Sequence, residues 1–354
     1  MGRAKKRPQG QVSWNRRKTR SIRWIFVLLM TLVVVTFVIG VIIGPVSIPI
    51  REVFSYLVGR KAAIGGSGHI QHLIISQIRL PRVLLGLLVG CALAISGGAM
   101  QGLFRNPLAS PYVLGIASGA STGASLVIFL NLHGVVFLPL GAFIGGSLAV
   151  GIVYQLARQR DRKTSVYTLI LAGVAVGALF SAITSFLIFL SAGTDRMTDV
   201  IFWTMGGLGR ASWTYLCVLA PIVALGSLLL IAFSRDLNAL AMGEEGAFHL
   251  GINPEKSKRI MLGVATFLTS SAVGFAGTIG FVGLIIPHIM RLIMGPDHRF
   301  LLPATAVAGA IFLVWADMAA RTVVRPVELP VGIITAFLGA PFFLYLLKTR
   351  KVRM

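Results

Sequence analysis

Nineteen residues from Ile25 to Ile43, IFVLLMTLVVVTFVIGVII, carry no charge, and runs of this kind recur along the chain. About twenty apolar residues cross a hydrocarbon core of ~30 Å. Within that core each backbone amide must find its partner inside its own segment. The recurrence therefore confines the chain to an all-α polytopic membrane protein. Composition agrees, with 56% hydrophobic and 12% charged residues, where a soluble domain carries about 25% charge. No hydrophilic segment is long enough to fold as a separate domain.

Hydropathy predicts about ten transmembrane helices. They lie near 24–43, 82–103, 112–131, 136–157, 165–190, 213–233, 260–278, 280–294, 301–320 and 331–347. Pro111 and Pro287 predict that the third and eighth are short or broken. The apolar run after the basic N-terminus is too long for a signal peptide. It reads as a first spanning helix behind a disordered basic tail over 1–23, with the membrane domain over 24–348 and a short basic tail over 349–354. Cys91 and Cys217 fall inside apolar runs, where a small buried side chain is expected rather than a disulfide.

Charge sets the orientation. The net charge is +22, from 33 basic and 11 acidic residues, and it sits mainly in tails and short loops. That is the distribution of topogenic charge and of attraction to anionic lipid. No nucleic-acid-reading motif accompanies it, so nucleic acid is not an expected partner. Nine basic residues in the first 23 hold the N-terminus in the cytoplasm. Alternation then places RQRDRK (158–163), the stretch 235–259 and the tail KTRKVR (348–353) inside as well. Both termini are expected in the cytoplasm.

The same alternation puts Arg79, Arg82, Arg321 and Arg325 outside, against the charge bias. Each alone reads as a snorkelling arginine near a helix end. Together they predict an electropositive outer rim that attracts an acidic partner. Asp317 and Arg321 are four residues apart, share one helix face and are expected to pair. Glu328 stands where it balances the arginines.

On the inner side, RDLNALAMGEEGAFHLGINPEKSKR (235–259) holds two short helical patterns, with Gly251 and Pro254 as the breaks. An amphipathic helix presented to the cytoplasm suits a groove on another protein, or else lies on lipid headgroups. Glu244 and Glu245 would be repelled by an anionic leaflet, which favours the protein partner. FRNPLASPYVLG (104–115) reads as a loop at the bilayer edge or as irregular backbone lining an inner mouth. Thr164 and Ser165 are small polar residues that also serve as helix N-caps.

Enzyme chemistry finds no footing. There is no GxxxxGK[ST] loop to cradle a nucleotide. HIQH (69–72) reads as a solvated external loop without a third metal ligand, and no nucleophile–base pair is visible. No directly bound cofactor is expected.

Four segments together carry a resemblance: RLPRVLLGLLVGCALAISGGAMQGLFRNPLASPYVLGIASGAS (79–121), LAMGEEGAFHLGI (240–252), GFVGLIIPHIMRLIMGPDHRFLLP (280–303) and ELPVGIITAFLGAPFFLYLL (328–347). They closely resemble the permease subunits of bacterial ABC importers for ferric siderophores, haem and vitamin B12. The resemblance runs from about residue 24 to the end. It implies ten helices per subunit in a dimer, a multi-pass protein of the bacterial cytoplasmic membrane, and a path along the two-fold axis of two identical or related permeases. It implies two ATPase subunits that use the ATP, and an extracytoplasmic substrate-binding protein that docks on Arg79, Arg82 and Arg321. Residues 236–258 become the coupling helices that fit the ATPase, with Leu240, Gly243, Glu244, Glu245, Leu250 and Gly251 in the contact motif. Asn106, Leu108, Thr164 and Ser165 match cytoplasmic gate positions. A ferric siderophore is the expected cargo, with haem or a cobalamin as the alternative. The rival class is an ion-driven secondary transporter, which would call for inverted repeats and several buried acids.

Overall fold

The protein is described by a computed structural model over residues 9–46, 48–57, 67–158 and 166–349. Helix α1 (Gln9–Ile42) is continuous over 34 residues. It takes in the part of the basic tail from Gln9 on, which was expected to be disordered. Beyond Gly10 the stretch lacks glycine and proline until Gly40, and its Gln, Arg and Lys residues have good helix propensity. Residues 1–8 and 350–354, with most of RQRDRK, lie outside the described residues.

Two short helices follow, α2 (Ile50–Leu57) and α3 (Ser67–Leu73). HIQH belongs to α3 rather than to a loop, and its His72 ring packs edge-on to Tyr56 with centroids 4.6 Å apart. A π-helical turn, Ile74–Arg79, joins α3 to α4 (Leu80–Leu103). Pro81 lacks an N–H and its ring crowds the preceding turn, which accounts for the widened winding ahead of it. The apolar helix therefore runs from His69 to Leu103, well before the expected start at residue 82.

A 3-10 turn at Pro111–Leu114 leads into α5 (Ile116–Phe129), then α6 (Phe137–Ala157) and α7 (Val166–Leu190). Gly123 of α5 faces the Gly141 carbonyl of α6 with no room for a Cβ, so the two backbones touch. Next come α8 (Asp195–Met205), which the hydropathy reading does not anticipate, and α9 (Trp213–Ala232). The short pair α10 (Ser234–Leu240) and α11 (Glu244–His249) precedes α12 (Pro254–Ala276), α13 (Val282–Met294), α14 (His298–Thr322) and α15 (Val331–Thr349). The break between α10 and α11 falls at Gly243, whose φ of +111° excludes most side chains. Gly251 and Pro254 instead end α11 and begin α12.

Seven helices among the described residues are long and apolar enough to cross a membrane, and three shorter apolar helices accompany them. α5 and α13, with 14 and 13 residues, are two of these short ones. At 1.5 Å per residue they reach only about 20 Å. The centre of the molecule is α4, with 78% of its apolar window buried, against 22% for α1 and 28% for α7. α14 lies against α4 so closely that Gly90 has no room for a Cβ beside the Gly309 carbonyl.

Candidate functional site

The chemistry of this chain is concentrated at the two ends of the α4–α14 core. At the end expected outside the membrane the arginines are buried rather than displayed: Arg79, Arg82 and Arg321 are 2, 6 and 1% exposed. Arg79 Nη1 donates to the carbonyls of Val41 and Ile42 (2.8 and 2.6 Å), and Nη2 reaches the carbonyl of Val46. It thereby satisfies carbonyls that the end of α1 leaves without helical partners. Gly44 makes the space, since a Cβ there would stand 2.7 Å from Arg79 Nη2.

Asp317 sits between the other two. Arg82 grips it through Nε and Nη2 (3.0 and 2.9 Å), and Arg321 Nε approaches its Oδ2 at 3.0 Å. Arg82 Nη1 also bonds Glu328 at 2.7 Å, and Arg321 Nη1 donates to the Ile43 carbonyl at 3.1 Å. A charge taken out of water must be paired and hydrogen-bonded, and here the guanidinium groups are. The cluster stitches together α1, α4, α14 and the approach to α15. Arg79, Arg82 and Arg321, expected at an outer rim, thus each hold internal partners in this chain. Glu328 and Arg325 are exposed.

Beside the cluster lies a cavity of about 220 Å³, lined among others by Arg82, Trp203, Arg210, Phe275, Glu328 and Pro330. Arg210 is exposed and stands 3.8 Å from Asp199. Arg82 contributes to the wall of this cavity. Sequence reasoning missed Arg210 because it sits in an interhelical loop whose neighbours come from distant segments.

At the opposite end, expected inside, α10 and α11 form a helix–turn–helix. Leu240, expected in the contact motif, is buried on the face of α10 that joins the main core. Ala247 anchors α11 in the same way. The outward face carries Met242, Phe248 and Leu250, exposed by 75, 68 and 62%, with Glu245 also exposed and Gly251 just beyond. Glu244 is held by Lys258 at 2.6 Å, and the same ammonium bonds Glu255 at 3.0 Å, tying α11 to α12. Met242 carries no signal in the sequence beyond its apolar character.

The start of α14 adds a further junction. Asn238 Nδ2 donates to Asp297 Oδ1 at 2.7 Å, and the His298 backbone N–H donates to Asn238 Oδ1 at 2.9 Å. Hydrogen bonds from Arg299, with a further one from Asn238, hold the Asp297 carboxyl down at about 2 against the upward push of burial. Of the expected gate residues, Asn106 Oδ1 accepts from the Leu108 N–H at 2.9 Å, and Leu108 is partly exposed. Thr164 and Ser165 lie outside the described residues.

The FecCD transport family model matches residues 32–349. The chain belongs to this family. It is 48% identical over 280 residues to the cobalamin import system permease protein BtuC of Halobacterium salinarum, covering 79% of this chain and 74% of that one. It is 42% identical over 280 residues to the hemin transport system permease protein HmuU of Yersinia pestis, covering 78% and 83%. A solved inward-facing structure assigned to a metal-chelate type ABC transporter superposes with a TM-score of 0.80 at 32% identity, over 93% of this chain and 99% of that chain. As a FecCD-family member this chain is a multi-pass ABC importer permease. ATP hydrolysis in this transporter class belongs to a separate subunit.

Proposed function

We propose that this FecCD-family permease pairs with a second permease subunit, identical or related, in a bacterial cytoplasmic membrane and passes a ferric siderophore inward. An extracytoplasmic binding protein delivers the cargo, and two ATPase subunits supply the work. The observation that carries the reading is the α10–α11 unit. Its inner face is rooted in the core through Leu240 and Ala247, while Met242, Phe248 and Leu250 are left for a partner's groove. Ten crossings with both termini in the cytoplasm account for the seven long and three short apolar helices.

In this reading Glu245, Leu250 and Gly251 meet the ATPase, with Gly243 setting the angle between the coupling helices and Glu244 fixing α11 to α12. The binding protein docks at the outer end. An acidic group reaches Arg82 through the outer cavity in place of Glu328, while Arg79 and Arg321 shape the platform from beneath. Asn106, Leu108, Thr164 and Ser165 form the inner gate. Cobalamin or haem is the second reading for cargo, favoured by the names of the Halobacterium and Yersinia relatives. Uptake competition among labelled ferric siderophores, haem and cobalamin, in cells with and without this chain, tests the assignment. Loss of ferric siderophore uptake alone is expected, and loss of cobalamin uptake alone would replace the proposed cargo.

A further inference from the structure

The coupling segment and the outer ion cluster are far apart, yet both are fastened to one helix. α14 begins at the Asp297–His298 junction and carries Asp317 and Arg321 near its other end. Its 25 residues span roughly 37 Å at 1.5 Å per residue. We infer that Asn238 is a positioning residue that clamps α10 to the start of α14, so that movement of the coupling helices is delivered along α14 to the outer ion cluster. The inference rests on the permease reading.

The donor and acceptor needs of the junction single out asparagine. The Asp297 carboxylate requires a donor, and the first N–H of α14 requires an acceptor because no helical carbonyl precedes it. An amide is the short side chain that supplies both at once. These two partners also fix which way the Asn238 amide points. The His298 ring Nδ1 lies 2.8 Å from the same Asn238 oxygen, so the ring donates from Nδ1. An aspartate at 238 would face the Asp297 carboxylate. A leucine would leave a buried helix N–H without a partner, which is costly.

The surroundings make the clamp stiff. His298 is 2% exposed, and its Nε2 would lie 2.5 Å from a Cβ built on Gly102. Leu237 of α10 would stand 3.1 Å from the same added Cβ. Glycine at 102 thus lets α4, α10 and α14 converge. On its other side α10 is tied to α12 by the Ser257 hydroxyl bonding Asp236. A displacement of α10 is therefore passed to α14 by a charge-assisted bond and to α12 by a hydroxyl.

The test uses the whole transporter, this chain with its ATPase and binding protein, in proteoliposomes with ferric citrate, haemin and cyanocobalamin as probes. A spin label at Val323→Cys, on the exposed residue just past the end of α14, reports movement there on adding ATP, in a background with Cys91→Ser and Cys217→Ser. Asn238→Ala should keep ATP hydrolysis within about twofold of the parent. It should lower uptake per ATP by about tenfold and abolish the label's response. The exchange Asn238→Asp with Asp297→Asn, which reverses donor and acceptor, should restore both. The inference is overturned if Asn238→Ala keeps uptake per ATP and the label response, if hydrolysis and uptake fall in parallel, or if the exchange restores neither. Should Asn238→Ala not assemble, the exchange decides alone by the same two readouts. If the parent transports none of the probes, the cargo reading fails, while the label at position 323 still judges the clamp.

Discussion

The two ends of this FecCD-family permease solve opposite problems. The outer end buries charge: three arginines and Asp317 are removed from solvent, the arginines matched by carboxylates or helix-terminal carbonyls and Asp317 by two of the guanidinium groups. The inner end leaves apolar surface bare at Met242, Phe248 and Leu250. A buried, paired network fixes geometry, because removing one member strands another in a low-dielectric interior. An exposed apolar knob contributes little to the fold of its own chain and awaits a partner. The contrast teaches that one end spends its charge on holding helices together, whereas the other leaves apolar surface open to a partner.

The largest expected effect breaks the outer end. Asp317→Ala strands Arg82 and Arg321 and should cost about 3–5 kcal/mol, read as a drop in thermal stability in detergent. A loss below about 1 kcal/mol would show that the cluster is not the lock described. Arg79→Glu with Arg82→Glu should likewise lower stability before any effect on binding-protein capture is measured.

At the inner end, Phe248→Asp should leave thermal stability within about 0.5 kcal/mol of the parent. Co-purification with the ATPase should weaken by about thirtyfold, as for a contact worth ~2 kcal/mol. Equal loss of stability and assembly would erase the contrast between the ends. Smaller still is Glu328→Gln, since that carboxylate is partly exposed and an exposed pair contributes about 1 kcal/mol or less. Its sharper readout is capture of the binding protein across a salt series, where a freed Arg82 should strengthen low-salt capture. No change with salt would detach Arg82 from docking.

The smallest effect concerns pH. The Asp297 carboxyl lies at about 2 in the folded chain, below its ordinary value of 3.8. A lowered folded-state value stabilises above the unfolded value, so this contribution is present above pH 3.8 and is lost as pH falls toward about 2. Asp297→Asn should remove that part of the acid sensitivity between the two values, seen in unfolding curves at stepped pH. An unchanged acid slope would show that the Arg299 and Asn238 bonds do not act on the folded state.

Much of the architecture was legible because hydropathy reports the bilayer directly. The apolar spans at 136–157 and 213–233 fall within a residue of α6 and α9 at each end. What was not legible depended on three-dimensional closure. The amphipathic α8 is too short and polar for a span, and the start of the second span was hidden by the π turn ahead of Pro81. The arginines announced themselves through the charge rule, but their partners include the backbone carbonyls of Val41 and Ile42, to which no side-chain pattern points. The Asp317–Arg321 pair was legible from its four-residue spacing. Asn238 and Asp297 lie 59 residues apart, and nothing in RDLNAL foretells their bond.

The central claim is that this chain moves cargo only when driven through its inner knob. The most direct measurement is uptake of a labelled ferric siderophore into vesicles holding this chain, its ATPase and its binding protein, with ATP on the ATPase side. Accumulation should require ATP, survive collapse of the proton gradient and vanish when the ATPase is left out. Accumulation by the permease alone, driven by a proton or sodium gradient, would contradict the account.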